Sequence, residues 1–161
     1  MVAVAPSSNL VVPKRRNPRV LVIDARFYEG IADALYAGAA AVLEAAGAVV
    51  ERVSVPGVLE IPTALAMASE IDEPHDGYVL LGCVIRGETT HYDIVAGESA
   101  RVVADLSAQR LLAVGNGILT VENEGQAWAR ARATEQDKGG GAARAALAMI
   151  ALRERFSGVP N

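Results

Sequence analysis

The 161-residue sequence contains only one cysteine, Cys83, and two histidines, His75 and His91. One cysteine excludes an internal disulfide and a zinc site built from several cysteines. Two histidines are too few ligands to make another kind of metal site the first choice. We therefore expect no bound metal.

Long apolar runs are also missing, although 52% of the residues are hydrophobic. A membrane-spanning helix needs about 20 consecutive apolar residues, so we expect no membrane segment. The net charge of −4 argues against a nucleic-acid partner. The basic residues at 14–16 follow the first apolar residues instead of preceding them, which is not the layout of a secretory signal. We expect a cytoplasmic protein, with part of its apolar surface buried between subunits.

Length and pattern predict a flexible N-terminal arm at residues 1–18, a single domain at 19–156 and a short tail at 157–161. Residues 10–12 of the arm, Leu-Val-Val, form an apolar segment too short to be stable alone. We expect this segment to add to the sheet of a neighbouring subunit.

Apolar strands alternate with segments of helical periodicity along the domain. This alternation predicts an α/β fold in which helices cover both faces of a parallel sheet. The strands are expected at residues 19–24, 49–55, 78–81 and 111–115, and the helices at 31–46, from 60, from 89, at 122–134 and at 141–155.

Unusual residues follow each predicted strand. Phe27 comes after the first, Glu60 after the second, the stretch 82–93 after the third and Asn116 after the fourth. Ligands bind outside the carboxyl ends of the strands in sheets of this kind. Four converging loops therefore indicate a binding site.

The stretch 82–93, GCVIRGETTHYD, contains most of the residues that could bind a ligand or transfer protons. Gly87 allows close approach to a ligand, and the Thr89 and Thr90 hydroxyls add donors at a helix N-terminus, which suits an anion. His91 lies within one turn and can transfer protons near neutral pH. The same residues also fit a helix capped by Thr90 with a surface histidine, and this turn alone leaves both interpretations open.

The other candidates have structural interpretations too. Phe27 could stack on a planar ligand or plug the core, and Glu60 could accept ligand hydroxyls or complement a helix dipole. Arg130 and Lys138, taken alone, fit solvated charges. Cys83 fits a small packing residue better than a nucleophile, because no base is adjacent in the sequence.

Three segments resemble the lumazine synthase family: residues 56–62 (PGVLEIP), 82–93 and 117–123 (GILTVEN). The resemblance extends in order, with matching spacing, over about residues 19–156. It implies a flavodoxin-like, three-layer αβα sandwich with a four-stranded parallel sheet, assembled as pentamers or multiples of pentamers. The short linker at 138–141 permits a larger shell.

Enzymes of this family condense 5-amino-6-(D-ribitylamino)uracil with 3,4-dihydroxy-2-butanone 4-phosphate. The products are 6,7-dimethyl-8-ribityllumazine, phosphate and water, in the penultimate step of riboflavin biosynthesis. The resemblance thus implies a transferase with two small-molecule substrates and neither cofactor nor metal. Riboflavin synthase is a candidate partner.

The resemblance also implies roles for individual residues. His91 would transfer protons, Phe27 would stack on the pyrimidine, and Glu60 would hold ribityl hydroxyls. The backbone of Val84 and Ile85 would bind the pyrimidine edge.

Other implied contacts are to the phosphate. Residues 87–90 would form the phosphate turn, while Arg130 and Lys138 would come from a neighbouring subunit, with Arg130 on the phosphate. The full set expected to bind substrate is Phe27, Val58, Leu59, Glu60, Cys83, Val84, Ile85, Gly87, Glu88, Thr89, Thr90, Asn116, Arg130 and Lys138.

Three positions depart from the family pattern. Asn116 stands where many members have an aromatic residue that closes the pocket from the adjacent subunit. Tyr28 replaces a common asparagine, and Gly141 a common acidic residue. We therefore expect weaker pyrimidine binding.

Two other functions stay open at this point, each compatible with a role in a shell. One is a relative that holds a flavin or lumazine without turnover. The other is a flavodoxin-like electron carrier, which would need a hydroxyl- and glycine-rich loop after the first strand. This chain has Asp24-Ala25-Arg26-Phe27 there.

Overall fold

The computed structural model describes residues 17–158. The apolar segment at 10–12, expected to pair with a neighbour, lies outside them. The strands are β1 Arg19–Ala25, β2 Val49–Val55, β3 Gly77–Ile85 and β4 Val114–Val121. The helices are α1 Glu29–Ala45, α2 Ile61–Ala68, α3 His91–Arg110, α4 Glu124–Ala131 and α5 Lys138–Phe156.

The four strands form one parallel sheet in the order β2-β1-β3-β4. Helices α1, α4 and α5 pack on one face, and α2 and α3 pack on the other. The predicted three-layer α/β fold is confirmed. None of the described helices has both the length and the apolar character needed to cross a membrane.

Strand β1 shows why the strands read as continuous apolar runs. Val20 and Val22 belong to the core beneath α1 and α5, whereas Leu21 and Ile23 belong to the core beneath α2 and α3. Successive side chains of a strand point to opposite faces, and here both faces are covered by helices. All four side chains are buried.

Strand β3 is longer than the predicted 78–81, because it continues through Gly82 to Ile85. Gly82 does not end the strand; it allows close packing. A Cβ at this position would lie 2.9 Å from Cγ2 of Val58, which follows β2 in a short 3₁₀ turn. The loop between β3 and α3 is consequently only residues 86–90.

The predicted fourth strand at 111–115 exists but is misplaced, because only residues 114 and 115 of that range belong to β4. Leu111 ends α3 in the left-handed conformation (φ 53°), and β4 begins only at Val114. Gly115 lies in β4 where the backbone of Ala142 in α5 leaves no room for a Cβ. Asn116 therefore lies within a strand and not in a loop after one.

The C-terminal helices also differ from the predicted 122–134 and 141–155. Helix α4 is shorter, and Asn123 caps it by accepting a hydrogen bond from the Gln126 backbone N–H at 2.9 Å. Helix α5 begins at Lys138, because the Asp137 carboxylate accepts from the Gly140 N–H at 3.1 Å. The expected linker at 138–141 is thus the first turn of α5.

Candidate functional site

A cavity of about 300 Å³ opens at the carboxyl ends of β1 and β3, beside the 3₁₀ turn that follows β2. It brings together His91 and seven of the residues expected to bind substrate. Its lining is Phe27, Tyr28, Gly57, Val58, Leu59, Glu60, Cys83, Val84, Ile85, His91 and Val95. We call it the strand-end cavity.

One wall of the strand-end cavity is aromatic. Phe27 is 72% exposed, and its ring packs in a T-shaped arrangement with the Tyr28 ring, with the centroids 4.9 Å apart. A large apolar side chain with this much open surface is available to stack on a planar ligand. Burial raises the pKa of the Tyr28 hydroxyl, with smaller contributions from Cys83 and Glu124.

The floor of the cavity is the end of β3. Strand β3 pairs with β1 only as far as Leu81, but it pairs with β4 as far as Ile85. Among the described residues, no strand pairs with the β1 side of positions 82–85. A ligand can therefore hydrogen-bond to backbone there, as a planar pyrimidine edge would require.

Cys83 lies in this floor with its thiol buried. Burial raises its pKa from 9.0 to about 11. The thiolate is the reactive form of cysteine. This thiol is thus protonated near neutral pH and behaves as a packing group, as the sequence predicted.

His91 is the first residue of α3 and is exposed at the cavity wall. Its backbone N–H donates to the Thr89 hydroxyl at 3.3 Å. Thr90 occupies the N-cap position but makes no capping bond through its side chain. The helix start is therefore bonded through Thr89, and the Thr90 hydroxyl is left for another partner.

Residues 87–90 are all exposed beside His91 and do not line the strand-end cavity. Apart from the two neighbouring residues in the chain, no heavy atom lies within 4 Å of the position where a Cβ of Gly87 would stand. Exposed backbone at the start of a 20-residue helix fits an anion.

The other predicted site residues lie around a second cavity, of about 410 Å³, at the free edge of β4. Asn116, Arg130 and Lys138 line it together with Gly141. The two cavities share no lining residue. Within one chain, the predicted site is thus divided into two groups.

Asn116 faces this edge with its carboxamide oxygen accepting from the Ile118 backbone N–H at 3.0 Å. Arg130 donates through Nη1 to the Gln126 carbonyl oxygen at 3.1 Å. Arg130 forms no salt bridge with any described residue. The Arg130 guanidinium therefore remains available for an anionic ligand.

Sequence reasoning missed two arginines at the carboxyl ends of the central strands β1 and β3. Arg26 follows β1 directly, and its Nη1 lies 2.7 Å from Oδ1 of Asp33. Arg86 follows β3 directly, and its Nη1 lies 3.3 Å from Oδ1 of Asp93. In both cases the aspartate lies seven residues further along the chain, and this spacing after a strand is the signal that could have found them.

The first of these pairs belongs to a larger network. The Asp24 carboxylate, which is fully buried, accepts from Arg52 Nη2 and from the Ser54 hydroxyl, both at 2.6 Å. Asp33 accepts from both Arg26 and Arg52, and these bonds lower its pKa from 3.8 to about 2. The network ties β1, β2 and α1 together behind the aromatic wall.

Residues 17–154 match the family model of 6,7-dimethyl-8-ribityllumazine synthase. The chain belongs to this family.

Curated lumazine synthases are similar to it over most of their length. The enzyme named 6,7-dimethyl-8-ribityllumazine synthase 1 of Rhizobium meliloti is 61% identical over 141 residues, which cover 85% of this chain and 92% of that protein. The Bartonella tribocorum synthase is 56% identical over 142 residues, covering 88% and 94%. The Methylobacterium radiotolerans synthase is 58% identical over 146 residues, covering 91% and 88%. The resemblance inferred from three short segments is confirmed.

Proposed function

We propose that this protein condenses 5-amino-6-(D-ribitylamino)uracil with 3,4-dihydroxy-2-butanone 4-phosphate, giving 6,7-dimethyl-8-ribityllumazine, phosphate and water. The similarity to lumazine synthases over most of the chain carries this proposal. The reaction needs imine formation, loss of phosphate and ring closure. All of these steps move protons between atoms that must be held close together.

In this proposal the strand-end cavity binds the pyrimidine. Phe27 stacks on the ring, the backbone of Val84 and Ile85 binds its edge, and Glu60 accepts from the ribityl hydroxyls. Val58, Leu59 and Cys83 complete the apolar lining. The support is geometric, because one cavity lies against all of these residues.

The phosphate substrate lies beside α3. Residues 87–90 (Gly-Glu-Thr-Thr) surround its phosphate at the helix N-terminus, where unpaired N–H groups and the helix dipole favour an anion. His91, next to this turn and on the cavity wall, moves protons between the two substrates. Holding two reactants in place can lower a barrier by about 7–11 kcal/mol, and a general acid or base typically adds about 10²–10⁴-fold.

In this proposal, the residues of the second cavity belong to the site of a neighbouring subunit. Arg130 and Lys138 are placed at the free edge of β4, separate from the strand-end cavity. A neighbouring subunit could carry this edge to the open side of the strand-end cavity, so that Arg130 meets the phosphate. The proposed assembly is a homopentamer or a multiple of pentamers, which also covers exposed apolar side chains such as Ile94 and Met149.

Cytoplasmic location and riboflavin synthase as a partner remain parts of this proposal. The expected reaction uses no cofactor and no metal.

A ligand carrier without turnover is the second candidate function. Asn116 keeps it open, because this residue leaves the β4 cavity without the aromatic side chain that many members of the family have there. His91, Arg130 and the exposed turn at 87–90 favour the enzyme.

The deciding experiment mixes the purified protein with both substrates and follows lumazine fluorescence together with phosphate release. Product and phosphate should appear together, well above the uncatalysed rate. Tight binding of the pyrimidine or of a flavin without turnover would instead identify a carrier.

A further inference from the structure

Arg86 joins three elements around the loop that begins α3. Its backbone N–H donates to the Val121 carbonyl oxygen at the end of β4, at 2.9 Å. Its side chain donates from Nε to Glu122, directly after β4, at 2.9 Å and from Nη1 to Asp93, in the first turn of α3, at 3.3 Å. The guanidinium carbon also lies 4.1 Å from the centroid of the Tyr92 ring. One side chain thus connects the two ends of the loop 87–90.

The loop has little else to fix its shape. Residues 87–91 are exposed, and the described hydrogen bonds within this region are local, such as His91 N–H to the Thr89 hydroxyl and Asp93 N–H to the Thr90 carbonyl. Ordering a loop residue costs about 1–2 kcal/mol of conformational free energy. Fixing the two ends through Arg86 reduces the conformations that the loop must lose when it binds a ligand.

Arg26 occupies the equivalent position after β1. Its backbone N–H donates to the Val55 carbonyl oxygen at the end of β2, at 3.0 Å. Its guanidinium binds Asp33 in α1 with both terminal nitrogens, at 2.7 and 3.4 Å. Phe27 is the next residue. The same arrangement therefore supports both of the loops that carry the proposed site.

We propose that Arg86 is a positioning residue, which holds the turn 87–90 and His91 in the geometry that receives the phosphate-bearing substrate. Arg26 does the same for Phe27 and the pyrimidine. The inference rests on the proposed function for the identity of the two ligands. It goes beyond that function because neither arginine lines the strand-end cavity.

Charge and geometry favour positioning over direct phosphate binding by Arg86. Two carboxylates, of Glu122 and Asp93, already accept from its guanidinium, so it presents little unbalanced positive charge to an anion. Different nitrogens bind the two acids, and a lysine ammonium would lack this fork. The Arg86→Lys variant, which keeps the positive charge but loses the fork, should therefore not have the kcat and KM of the wild-type protein.

The test compares Arg86→Gln with Arg26→Gln and with a matched control, Arg101→Gln. Arg101 lies further along α3 and likewise binds two acids, Glu98 at 2.8 Å and Asp105 at 3.2 Å, but it is remote in sequence from the loop. Steady-state kinetics with each substrate varied in turn give kcat and two KM values. Thermal unfolding checks that each variant is folded.

Arg86→Gln should raise the KM for the butanone phosphate, or lower kcat, by between about 10- and 100-fold, because small displacements of reacting groups have effects of this size. Its KM for the pyrimidine should stay within about twofold of wild type, since Phe27 and its support are intact. Arg26→Gln should instead raise the KM for the pyrimidine and leave the KM for the butanone phosphate within about twofold of wild type. Arg101→Gln should match wild type in both KM values and in kcat. An equal rise of both KM values in Arg86→Gln, or the same change in Arg101→Gln, would overturn the proposal.

Glu122→Gln separates positioning from direct binding. This variant keeps the arginine but weakens one of its bonds, so a positioning role predicts a smaller loss in the same direction as Arg86→Gln. Unchanged or tighter phosphate-substrate binding in Glu122→Gln would mean that Arg86 binds the phosphate itself, against the proposal.

Inorganic phosphate is the probe that does not depend on turnover. In calorimetric titrations, the Kd for phosphate should be at least about tenfold higher for Arg86→Gln than for the wild-type protein. Arg101→Gln should have the wild-type Kd. Equal affinities, or no binding to any of the three proteins, would overturn the positioning role. Absence of lumazine formation by the wild type would overturn the proposed function and leave this comparison valid.

Discussion

The Arg52 guanidinium lies 2.6 Å from the carboxylate of Asp24, which is fully buried at the end of β1. A buried carboxylate is costly unless it is paired, and removing one partner of such a pair typically costs about 3–5 kcal/mol. The Ser54 hydroxyl at 2.6 Å and Nη1 of Arg26 at 3.4 Å would remain in place as partial replacements.

Arg52→Leu should therefore lower the free energy of unfolding by about 3 kcal/mol, at the lower end of that range. Urea unfolding checks this value, with Arg101→Leu as the control, because the ion pairs of Arg101 are exposed. Equal stabilities of the two variants would mean that the buried pair makes no special contribution.

The Cys83 thiol should react slowly with iodoacetamide. Its pKa of about 11 leaves only about one thiolate in a thousand at pH 8, and the rate should rise about tenfold per pH unit between pH 8 and 10. Mass spectrometry after timed labelling measures the rate, with N-acetylcysteine as the reference thiol. A rate at pH 8 equal to that of the reference would contradict the burial of this thiol.

Asn116→Phe should tighten pyrimidine binding, because it adds an aromatic ring to the β4 cavity; each such contact is worth about 0.5–1.5 kcal/mol beyond its buried area. Calorimetric titration with the pyrimidine substrate measures the change. Asn116→Ala is the control, since it removes the hydrogen bond to Ile118 without adding a ring. Unchanged or weaker binding by the Phe variant would remove Asn116 from the proposed site.

His91→Ala should lower kcat by about 100-fold while leaving a rate clearly above the uncatalysed reaction, because the positioning of both substrates survives. The KM values and the oligomeric state, measured by light scattering, should be close to wild type. Loss of assembly or of ligand binding would show that His91 has a structural role instead.

The sequence predicted the part of the fold in which apolar runs and strands coincide. The second strand was predicted at 49–55 and is observed as Val49–Val55. The fourth was misplaced, because Leu111 looks like the start of an apolar strand but ends α3 in the left-handed conformation. Gly115 looked like the end of that strand, although it lies inside β4 under the backbone of α5.

The candidate site was predictable where its residues are close in sequence, as in the stretch 82–93. The ion pairs that hold the loops of the site in place were not predictable. The bond between Arg86 and Glu122 spans 36 residues, and only the parallel pairing of β3 with β4 brings the two together. The division of the site between two cavities also depends on which strand lies at the edge, and a strand pattern does not specify that order.

Subunit complementation tests most directly that the protein is a synthase whose sites form between copies. One variant, Phe27→Ala/His91→Ala, damages the strand-end cavity, and the other, Arg130→Ala/Lys138→Ala, damages the β4 cavity. The two are unfolded together, refolded at equal amounts and assayed for lumazine formation. Random mixing should restore about a quarter of the wild-type rate, because about a quarter of neighbouring pairs combine two intact halves. A mixture no more active than the mean of its separate components would contradict a site shared between subunits.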